Sequence, residues 1–423
     1  MINQHERILT LLHQHIPSDQ WQVNSHSNDF DSDRSILPGQ KPVAIVRPTQ
    51  LDVVPILLKL ANEYSFSITT RGAGTSTTGA SISETHGVLL LLDRLDRIVE
   101  WDSDNLVIVV EPGVMTGAIH SFLEERGYFY PPDPASSHIA TIGGNVATNA
   151  GGPRTVKYGV TGDYVLGVEG YFANGQSFKC GGKCRKDVAG YDIKRLLIGS
   201  EGTLAVITRI YLRVIPLPEC RQTILLGFAS FYDAMAFFVS IRQAGILVSM
   251  LEFFDRYCVE AVQKAQDDFA GIPHAETYLL LELDGAVGHV THMKHNLRQL
   301  LHDLPYTFCE FCEDSETSLH FLTIRSAISP SLRSFYADKR SHDVGVPPAA
   351  IPDFMKHVYQ LAEAYPFRVV GYGHFGDGNV HINILKGVLD QETWLLHVTR
   401  FEDELMRYVI QIGGTITAEH GVG

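Results

Sequence analysis

The chain contains 423 residues, of which 45% are hydrophobic and 19% are charged, and its formal net charge is −14. This length exceeds what one hydrophobic core usually serves, so we expect at least two domains, with enough buried volume for a large cofactor. No apolar stretch reaches the roughly 20 residues of a membrane-spanning helix. No Lys/Arg run supplies a basic surface, so we expect neither nucleic acid nor anionic lipid as a partner.

The first half of the chain alternates short apolar runs with helical periodicity. The pattern predicts a helix over Glu6–His15, a strand between Pro42 and Pro48, a helix over Thr49–Glu63 and a strand over Ile68–Arg71. Further β-like runs follow, separated by turns rich in Gly, Asp, Asn and Pro: Val88–Leu92, Leu106–Glu111, Gly167–Phe172 and Ala205–Val214. We therefore predict an α+β fold with mixed strands for this half.

Two prolines, Pro216 and Pro218, interrupt this pattern and mark the predicted domain boundary. Residues 1–218 would form the first domain, with its core at 38–218, and residues 219–423 the second. The second domain opens with strand, helix, strand and helix over Thr223–Phe228, Phe231–Ala244, Thr277–Asp284 and Thr291–Leu301. This order is typical of a ferredoxin-like α+β domain rather than of a nucleotide-binding fold.

The cysteine content and the N-terminus both favour a location inside the cell. Six cysteines are few for this length and form no spaced framework, as expected in a reducing compartment. The pair Cys309 and Cys312 lacks the second pair that a zinc or iron–sulfur site needs. Residues 1–31 lack the basic start and apolar stretch of a secretory signal. We expect a cytoplasmic protein, either free or peripheral to the inner membrane.

Three clusters of small and polar residues in the first domain suggest close approach of the backbone to a ligand. The first, Arg71–Gly79, follows a predicted strand and combines glycines with hydroxyl side chains, as a phosphate-binding loop requires. It is neither a Walker loop nor a GxGxxG motif that opens a helix. The second spans residues 131–152 and includes TIGGN at Thr141–Asn145, and the third is Gly199–Leu204. Small residues where a core would use branched apolar ones favour a bound ligand.

A second group of candidate residues lies near the C-terminus, in the stretch Gly373–Asn383 and the triplet Glu419–Gly421. His374 and His381 are seven positions apart with glycines between them, which suits a turn and a strand that bring both imidazoles to one point. Glu419 would arrive from another segment. Two histidines and one carboxylate leave open positions on a divalent metal, and zinc, iron and manganese all fit this set.

The order RGAGTS, PPDP, TIGGN, NAGG, KYG and GSEGTL resembles the vanillyl-alcohol-oxidase-type, or PCMH-type, flavoproteins, and the likeness covers essentially the whole chain. It implies an FAD-binding domain of two α+β subdomains followed by a substrate (cap) domain. It also implies which residues contact each part of FAD. The residues that would hold the pyrophosphate are Arg71, Gly72, Ala73, Gly74, Thr75, Ser76 and Gly79, and those that would line the flavin are Pro131, Thr141, Gly143, Gly144 and Asn145. The residues that would contact the ribose or adenine are Glu201, Gly202 and Val206. Some members attach FAD covalently through a histidine in the first loop, which residues 71–79 lack, so we expect non-covalent FAD.

The motifs HxGDGNxH and EHG are similar to those of the D-lactate, glycolate and D-2-hydroxyglutarate dehydrogenase branch of that family. The resemblance implies zinc or a similar divalent ion as the metal. It also implies that His374, His381 and Glu419 are the metal ligands and that His420 is the general base. Arg325 and Asn383 would bind the substrate.

The resemblance leaves one position in the substrate site undecided. The family often has a lysine or another polar residue before a segment that corresponds to Asp343–Pro347. Lys339, Arg340 and Ser341 all precede that segment, and none of them aligns uniquely. A second carboxylate clamp, which would favour a diacid, therefore stays open.

Two places depart from the family pattern. Ala205 stands where relatives commonly have glycine after GSEGTL. The sequence ends at Gly423, shortly after EHG, whereas relatives continue with a helix and a tail that returns to the flavin domain. We expect either a fragment or a chain that receives this element from another chain.

The leading hypothesis is an FAD- and metal-dependent dehydrogenase of a small D-2-hydroxy acid. The metal would acidify the substrate hydroxyl, a histidine would accept its proton, and the flavin would accept a hydride. The electrons would pass to an acceptor other than NAD: a quinone, a cytochrome, an electron-transfer flavoprotein or an iron–sulfur subunit. Two alternatives stay open, a metal-dependent hydrolase of a phosphorylated substrate and a non-catalytic flavin subunit of a larger complex. A homodimer and a heteromer both fit the sequence.

Overall fold

The computed structural model of the protein describes residues 3–24, 30–265, 272–336 and 338–423. The chain forms two compact units, and each is made of more than one segment: Met1–Gly151, Gly159–Leu217 and Glu419–Gly423 in the first, and Gly152–Tyr158 and Pro218–Ala418 in the second. The short segments Gly152–Tyr158 and Glu419–Gly423 therefore belong to a different unit from their neighbours in sequence. A single boundary at residue 218 does not describe them.

The described elements up to residue 217 are short, as expected for an α+β fold. The helices are α1 (Gln4–His15), α2 (Val53–Tyr64), α3 (Thr116–Glu124), α4 (Ile142–Thr148), α5 (Thr155–Tyr158), α6 (Thr161–Tyr164) and α7 (Ile193–Leu197). The strands are β1 (Trp21–Val23), β2 (Ala44–Val46), β3 (Ile68–Arg71), β4 (Val88–Leu91), β5 (Ile98–Asp102), β6 (Val107–Val110), β7 (Tyr128–Phe129), β8 (Val165–Phe172), β9 (Ser177–Gly181), β10 (Ala205–Arg213) and β11 (Ile215–Pro216).

The four-stranded sheet of the first unit has the order β1-β2-β4-β3, and its strands β2, β4 and β3 are parallel. Parallel strands are usually covered on both faces, which explains why β2 and β4 are continuous apolar runs without alternation. Helix α2 packs its apolar residues into the same core, and its C-cap residue Ser65 has a left-handed φ of 56°. Strand β3 runs directly into the glycine-rich loop that follows Arg71.

The larger sheet of the first unit is antiparallel throughout, with the order β5-β6-β10-β8-β9. Its central strand β10 starts three residues after Gly202, so the third glycine cluster lies at the beginning of that strand. One unit with a mainly parallel sheet and an antiparallel sheet matches the predicted α+β domain with mixed strands, and that prediction is confirmed.

The second unit contains longer elements. Its strands beyond residue 217 are β12 (Cys220–Phe228), β13 (Met250–Asp255), β14 (Thr277–Gly285), β15 (Phe308–Phe311), β16 (Lys339–Gly345), β17 (Arg368–Gly373) and β18 (Asn379–Leu385). The helices are α8 (Phe231–Gln243), α9 (Arg256–Ala265), α10 (Val287–His302), α11 (Ser315–Phe335), α12 (Ile351–Ala362) and α13 (Gln391–Gln411), and a short 3-10 helix covers Pro348–Ala350.

These strands form one antiparallel sheet with the order β15-β12-β14-β13-β17-β18-β16. Helices α8, α10, α12 and α13 pack with the sheet in one hydrophobic core, and α9 and α11 pack in another. Amphipathic helices therefore bury apolar side chains in two separate cores around a sheet whose central strands are buried.

The sequence pattern missed two elements between the predicted strands of this unit. The predicted order of strand, helix, strand and helix omits β13 and α9, which the structure places between α8 and β14. Strand β13 has the sequence MLEFFD and is buried at all six positions, so it lacks the alternation that identifies a strand with one exposed face. Across the described residues, none of the helices is long and apolar enough to cross a membrane.

Candidate active site

The first glycine cluster forms a loop between β3 and β4 whose backbone fits an anionic ligand. Gly74 and Gly79 have left-handed φ values of 68° and 90°, which glycine adopts without strain. Within the described part of the chain, the amide N–H groups of Ala73, Gly74 and Thr75 have no hydrogen-bond acceptor. Consecutive amide donors in a turn of this kind are suited to the oxygen atoms of a phosphate group.

Arg71 supports this loop from the inside. Its side chain is buried, and its guanidinium Nη1 donates a hydrogen bond of 3.2 Å to the carbonyl oxygen of Ser81. Burial lowers the pKa of Arg71, and the nearby carboxylates of Asp33 and Asp31 act in the opposite direction. A Cβ atom at Gly74 would lie 2.0 Å from Arg71 Nη2, so the glycine makes room for the guanidinium. The predicted contact of Arg71 with the pyrophosphate stays a prediction.

The first and second clusters meet at Gly72 and Thr141. A Cβ atom at Gly72 would lie 2.2 Å from Thr141 Oγ1, so only glycine allows the loop to approach Thr141 this closely. Thr141 is the N-cap residue of α4, and its hydroxyl accepts a hydrogen bond from the amide of Gly144 at 3.3 Å. Gly143 packs in the same way against Pro112, whose carbonyl oxygen would lie 2.9 Å from an added Cβ. Part of the glycine signal therefore reflects packing within the protein.

Replacement of Gly72 by alanine is expected to weaken FAD binding by about tenfold, because overpacking of this kind costs about 1–3 kcal/mol. The added methyl group would displace either the loop or the hydroxyl that caps α4. The measurement is the dissociation constant of FAD from the quenching of flavin fluorescence. Gly182→Ala is the matched control, since nothing lies within 4 Å of a Cβ atom at Gly182. Equal affinities in the two variants would contradict this account of Gly72.

Three further residues predicted to contact FAD are buried in the first unit. Asn145 is buried in α4 and donates through Nδ2 to Thr116 Oγ1 at 2.6 Å. Val206 is 4% exposed and lies in the core beside α2, so its backbone is the part left for a ligand. Pro131 is also buried. The FAD contacts of these residues stay predictions.

The third cluster binds the residues that follow the Glu419–Gly421 triplet. Glu201 and Gly202 have left-handed φ values of 52° and 79°. The carboxylate of Glu201 accepts hydrogen bonds from the amides of Val422 at 2.9 Å and Gly423 at 3.0 Å. Thr78 Oγ1, from the first cluster, also donates to Glu201 at 3.5 Å. The segment that contains Glu419 and His420 is therefore held beside the glycine-rich loop of the first unit.

The second unit brings His374 and His381 together. His374 follows β17 directly and His381 lies within β18, and the two imidazole rings are 5.5 Å apart between centroids. Both side chains are buried, with 7% and 8% of their surface exposed. Nδ1 of His381 lies 3.5 Å from Asp343 Oδ1 on the neighbouring strand β16. The turn and strand predicted for this motif are present, but its role as a metal site stays a prediction.

Glu252 is a site residue that the sequence pattern did not reveal. It lies in β13 with no exposed surface, and its two carboxylate oxygens accept hydrogen bonds from His374 Nδ1 at 2.6 Å and Arg325 Nε at 2.5 Å. Burial alone would raise the pKa of Glu252, but Arg325 and His374 lower it below its usual value. Glu252 is therefore a carboxylate at neutral pH, and it joins one predicted metal ligand to one predicted substrate residue.

Arg325 extends from α11 into this group. Its guanidinium lies over the ring of Tyr372, 5.0 Å from the centroid, and the Tyr372 ring is 5.0 Å from that of His381. Burial raises the pKa of Tyr372, so the phenol keeps its proton at neutral pH. Arg325 Nη2 is buried and, among the described residues, has no hydrogen-bond acceptor. A buried guanidinium N–H without an acceptor is costly, and an anionic ligand would satisfy it.

Asn383 is the second predicted substrate residue, and the register of β16 with β18 explains its surroundings. Ser341 pairs directly with Asn383, and both Ser341 Oγ and Lys339 Nζ donate to Asn383 Oδ1, at 2.7 and 2.8 Å. Burial, with a contribution from Arg333, lowers the pKa of Lys339 to about 8. Asn383 Nδ2 is buried and has no acceptor within the described chain. Of the residues that the sequence could not align, Lys339 and Ser341 reach the site.

The fold of the chain is shared with solved structures. The structure of p-cresol methylhydroxylase with substrate bound superimposes with a TM-score of 0.79 at 15% identity, covering 98% of this chain and 89% of that one. Residues 42–181 match the family model of an FAD binding domain, and residues 217–423 match that of FAD linked oxidases, C-terminal domain. These findings define the class as an FAD-dependent oxidoreductase.

Sequence relatives show to which family of FAD-dependent oxidoreductases the chain belongs. The chain is 35% identical to the glycolate oxidase subunit GlcD of Bacillus subtilis over 386 residues, which is 90% of this chain and 81% of the relative. It is 30% identical to a D-lactate dehydrogenase of Anaerostipes hadrus over 410 residues, which is 94% of this chain and 85% of the relative. The chain belongs to the family of FAD-linked oxidases. This membership confirms the predicted family and argues against the metal-dependent hydrolase.

Proposed function

We propose that the protein oxidises a small D-2-hydroxy acid to the corresponding 2-oxo acid, using non-covalent FAD and a divalent metal, with zinc as the expected ion. Two buried hydrogen-bond donors of the second unit, Arg325 Nη2 and Asn383 Nδ2, support this substrate class. The relatives named above are a glycolate oxidase subunit and a D-lactate dehydrogenase, which are enzymes of this substrate class by name.

One observation carries the proposal: two buried donors of the second unit, Arg325 Nη2 and Asn383 Nδ2, have no acceptor among the described residues. Both lie around Tyr372 and the histidine pair, because Arg325 stacks on Tyr372 and Asn383 is two residues beyond His381 on β18. Guanidinium and amide donors fit the carboxylate and hydroxyl oxygens of a hydroxy acid. A substrate held there would be oriented before the reaction begins.

The carboxylates beside the two histidines support the proposed role of both rings as metal ligands. A metal-binding imidazole commonly donates its other ring N–H to a carboxylate, which fixes the tautomer and raises the basicity of the ligating nitrogen. Here Nδ1 of His374 faces Glu252 and Nδ1 of His381 faces Asp343, and Nε2 of each ring would bind the ion. Glu419 is proposed as the third ligand. An ion held by this set would supply a Lewis acid for the substrate hydroxyl.

The protein side of the reaction requires a proton acceptor and a fixed substrate. When bound, FAD supplies the electron acceptor, which takes the Cα hydride at flavin N5. We assign the hydroxyl proton to His420, which follows Glu419 in the segment held by Glu201. Arg325 and Asn383 hold the substrate so that loss of the hydroxyl proton and of the hydride leaves the 2-oxo acid. The electron acceptor that would complete the reaction is proposed to be other than NAD.

An anaerobic screen of candidate substrates tests the proposal. D-lactate, glycolate and D-2-hydroxyglutarate are mixed with the FAD-loaded protein, and bleaching of the flavin band near about 450 nm is followed over time. At least one of the three is expected to bleach the flavin, because each presents the carboxylate and hydroxyl oxygens that Arg325 and Asn383 can bind.

L-lactate is the matched control, since it has the same atoms with the opposite configuration and is expected to bleach the flavin much more slowly. Addition of NAD after bleaching is expected not to restore the colour, whereas a quinone or an artificial dye is. If dithionite reduces the flavin but no 2-hydroxy acid does, the proposal is wrong and a non-catalytic flavin subunit is favoured.

A further inference from the structure

Glu252 is a buried carboxylate of the second unit that joins a proposed metal ligand to a proposed substrate-binding residue. Its Oε1 accepts from His374 Nδ1 at 2.6 Å, and its Oε2 accepts from Arg325 Nε at 2.5 Å. The side chain has no exposed surface and extends from β13, which lies between β14 and β17 in the sheet. One rigid strand therefore fixes a carboxylate between two groups that come from β17 and α11.

Glu282 on the neighbouring strand β14 provides a comparison, because it is paired with an arginine in the same sheet and also accepts a hydrogen bond from Ser249 Oγ at 3.0 Å. It is also buried, and Arg154 binds it through two hydrogen bonds, from Nε to Oε1 at 2.9 Å and from Nη2 to Oε2 at 3.1 Å. This two-point geometry is the favourable one for an arginine and a carboxylate. At Glu252 the arginine uses Nε alone, and its Nη2 is left buried without an acceptor in the described chain.

The one-point geometry has a consequence on each side of Glu252. Arg325 bonds to Oε2 through Nε, so its buried Nη2, which has no acceptor in the described chain, is available for a ligand. Because the carboxylate can only accept, His374 carries a proton on Nδ1, and in the neutral ring Nε2 then has the lone pair that a metal requires. A structural salt bridge would need neither of these arrangements.

We infer that Glu252 is a positioning residue that couples the binding of the substrate carboxylate by Arg325 to the binding of the metal by His374. This inference rests on the proposed function. It adds that one buried carboxylate sets both the direction of the guanidinium and the tautomer of the imidazole, so that loss of its charge should disturb two measurable properties together.

Glu252→Gln is the variant that tests the coupling, because glutamine keeps the length and nearly the volume of the side chain. Its carbonyl oxygen can still accept from one partner. Its amide group can only donate, and a bond from it to His374 Nδ1 would move the ring proton to Nε2, where it blocks a metal. Glu282→Gln is the matched control, since it also removes the charge of a buried carboxylate paired with an arginine in the same sheet.

Two quantities are measured on the purified, FAD-loaded protein. The first is the affinity for zinc, from competition with a chelator and elemental analysis, which does not depend on turnover. Glu252→Gln is expected to weaken it by about 10- to 100-fold, as changes to residues behind metal ligands do. The second is the apparent dissociation constant of the substrate, from the concentration dependence of flavin bleaching, which is expected to rise by about tenfold. Glu282→Gln should change neither by more than about twofold.

The outcomes separate the inference from the proposed function. If the wild type binds zinc and Glu252→Gln keeps both zinc affinity and substrate affinity, the inference is overturned. If the wild type binds no metal, the metal part of the proposed function fails, and the inference is overturned when substrate affinity is unchanged in Glu252→Gln. Should Glu252→Gln lack bound FAD or a cooperative unfolding transition, Glu252→Asp replaces it. Its shorter carboxylate cannot reach both partners, so unchanged affinities would overturn the inference equally.

Discussion

Replacement of His420 by alanine is expected to slow the reduction of the flavin by substrate by about 10²- to 10⁴-fold, which is the usual contribution of a general base. FAD should remain bound. The amides of Val422 and Gly423 are held by the carboxylate of Glu201, and neither hydrogen bond involves the side chain of His420. The rate of flavin bleaching in anaerobic stopped-flow mixing, compared with the FAD content of each preparation, measures both parts.

His13→Ala is a suitable control for this variant, because His13 is an exposed histidine on α1. It should bleach at the rate of the wild type. Reduction by dithionite should be unchanged in His420→Ala, which would show that the flavin itself is intact. An unimpaired rate of bleaching by substrate in His420→Ala would refute the assignment of His420 as the base.

Much of the first unit could be predicted from the sequence because its core strands are unambiguous. The run Ile68–Arg71 was identified with the bounds that β3 has, and the apolar stretch between Pro42 and Pro48 contains β2. Prolines and glycines bound these runs, and strands covered on both faces show continuous apolar residues. The α+β class and the FAD-linked family were confirmed for the same reason, since both depend on local patterns and motifs.

The glycine clusters show the limit of such local reading. Their small residues predicted close approach of a ligand, but Gly72 is required by Thr141, and Gly143 is required by Pro112. Each of these contacts joins segments that are distant in sequence. The same glycine can satisfy a packing contact and leave room for a ligand, and no local pattern separates the two causes. The helix α4 was missed for a related reason, because glycines have low helix propensity.

In the second unit, the residues that act through other residues were the ones that sequence reasoning missed. Glu252 is one acidic residue in the strand MLEFFD, and its partners lie 73 and 122 positions away. The available signal was a charge within an apolar run, since a buried charge requires a partner. Lys339 and Ser341 were noticed but not assigned, because only the register of β16 against β18 shows that both reach Asn383.

Removal of the proposed divalent metal is expected to have the other large effect. Dialysis against a strong chelator should lower the rate of flavin reduction by substrate by at least about 10³-fold, because a Lewis acid contributes several kcal/mol and each 1.36 kcal/mol is a factor of ten. Flavin content should not change, since the glycine-rich loop and the helix α4 belong to the first unit, whereas His374 and His381 belong to the second. Elemental analysis and the flavin absorbance of the same sample measure the two quantities.

Restoration distinguishes loss of the metal from damage to the protein. Zinc added back to the chelated protein should recover the rate, and iron(II) or manganese(II) would replace zinc as the assigned ion if either recovers more. His381→Ala is expected to resist this recovery, because the ring that faces Asp343 is then lost as a ligand while FAD binding is retained. Full activity in protein shown by elemental analysis to contain no metal would remove the Lewis acid from the proposed function, and the histidine pair would then be a hydrogen-bonding site for the substrate.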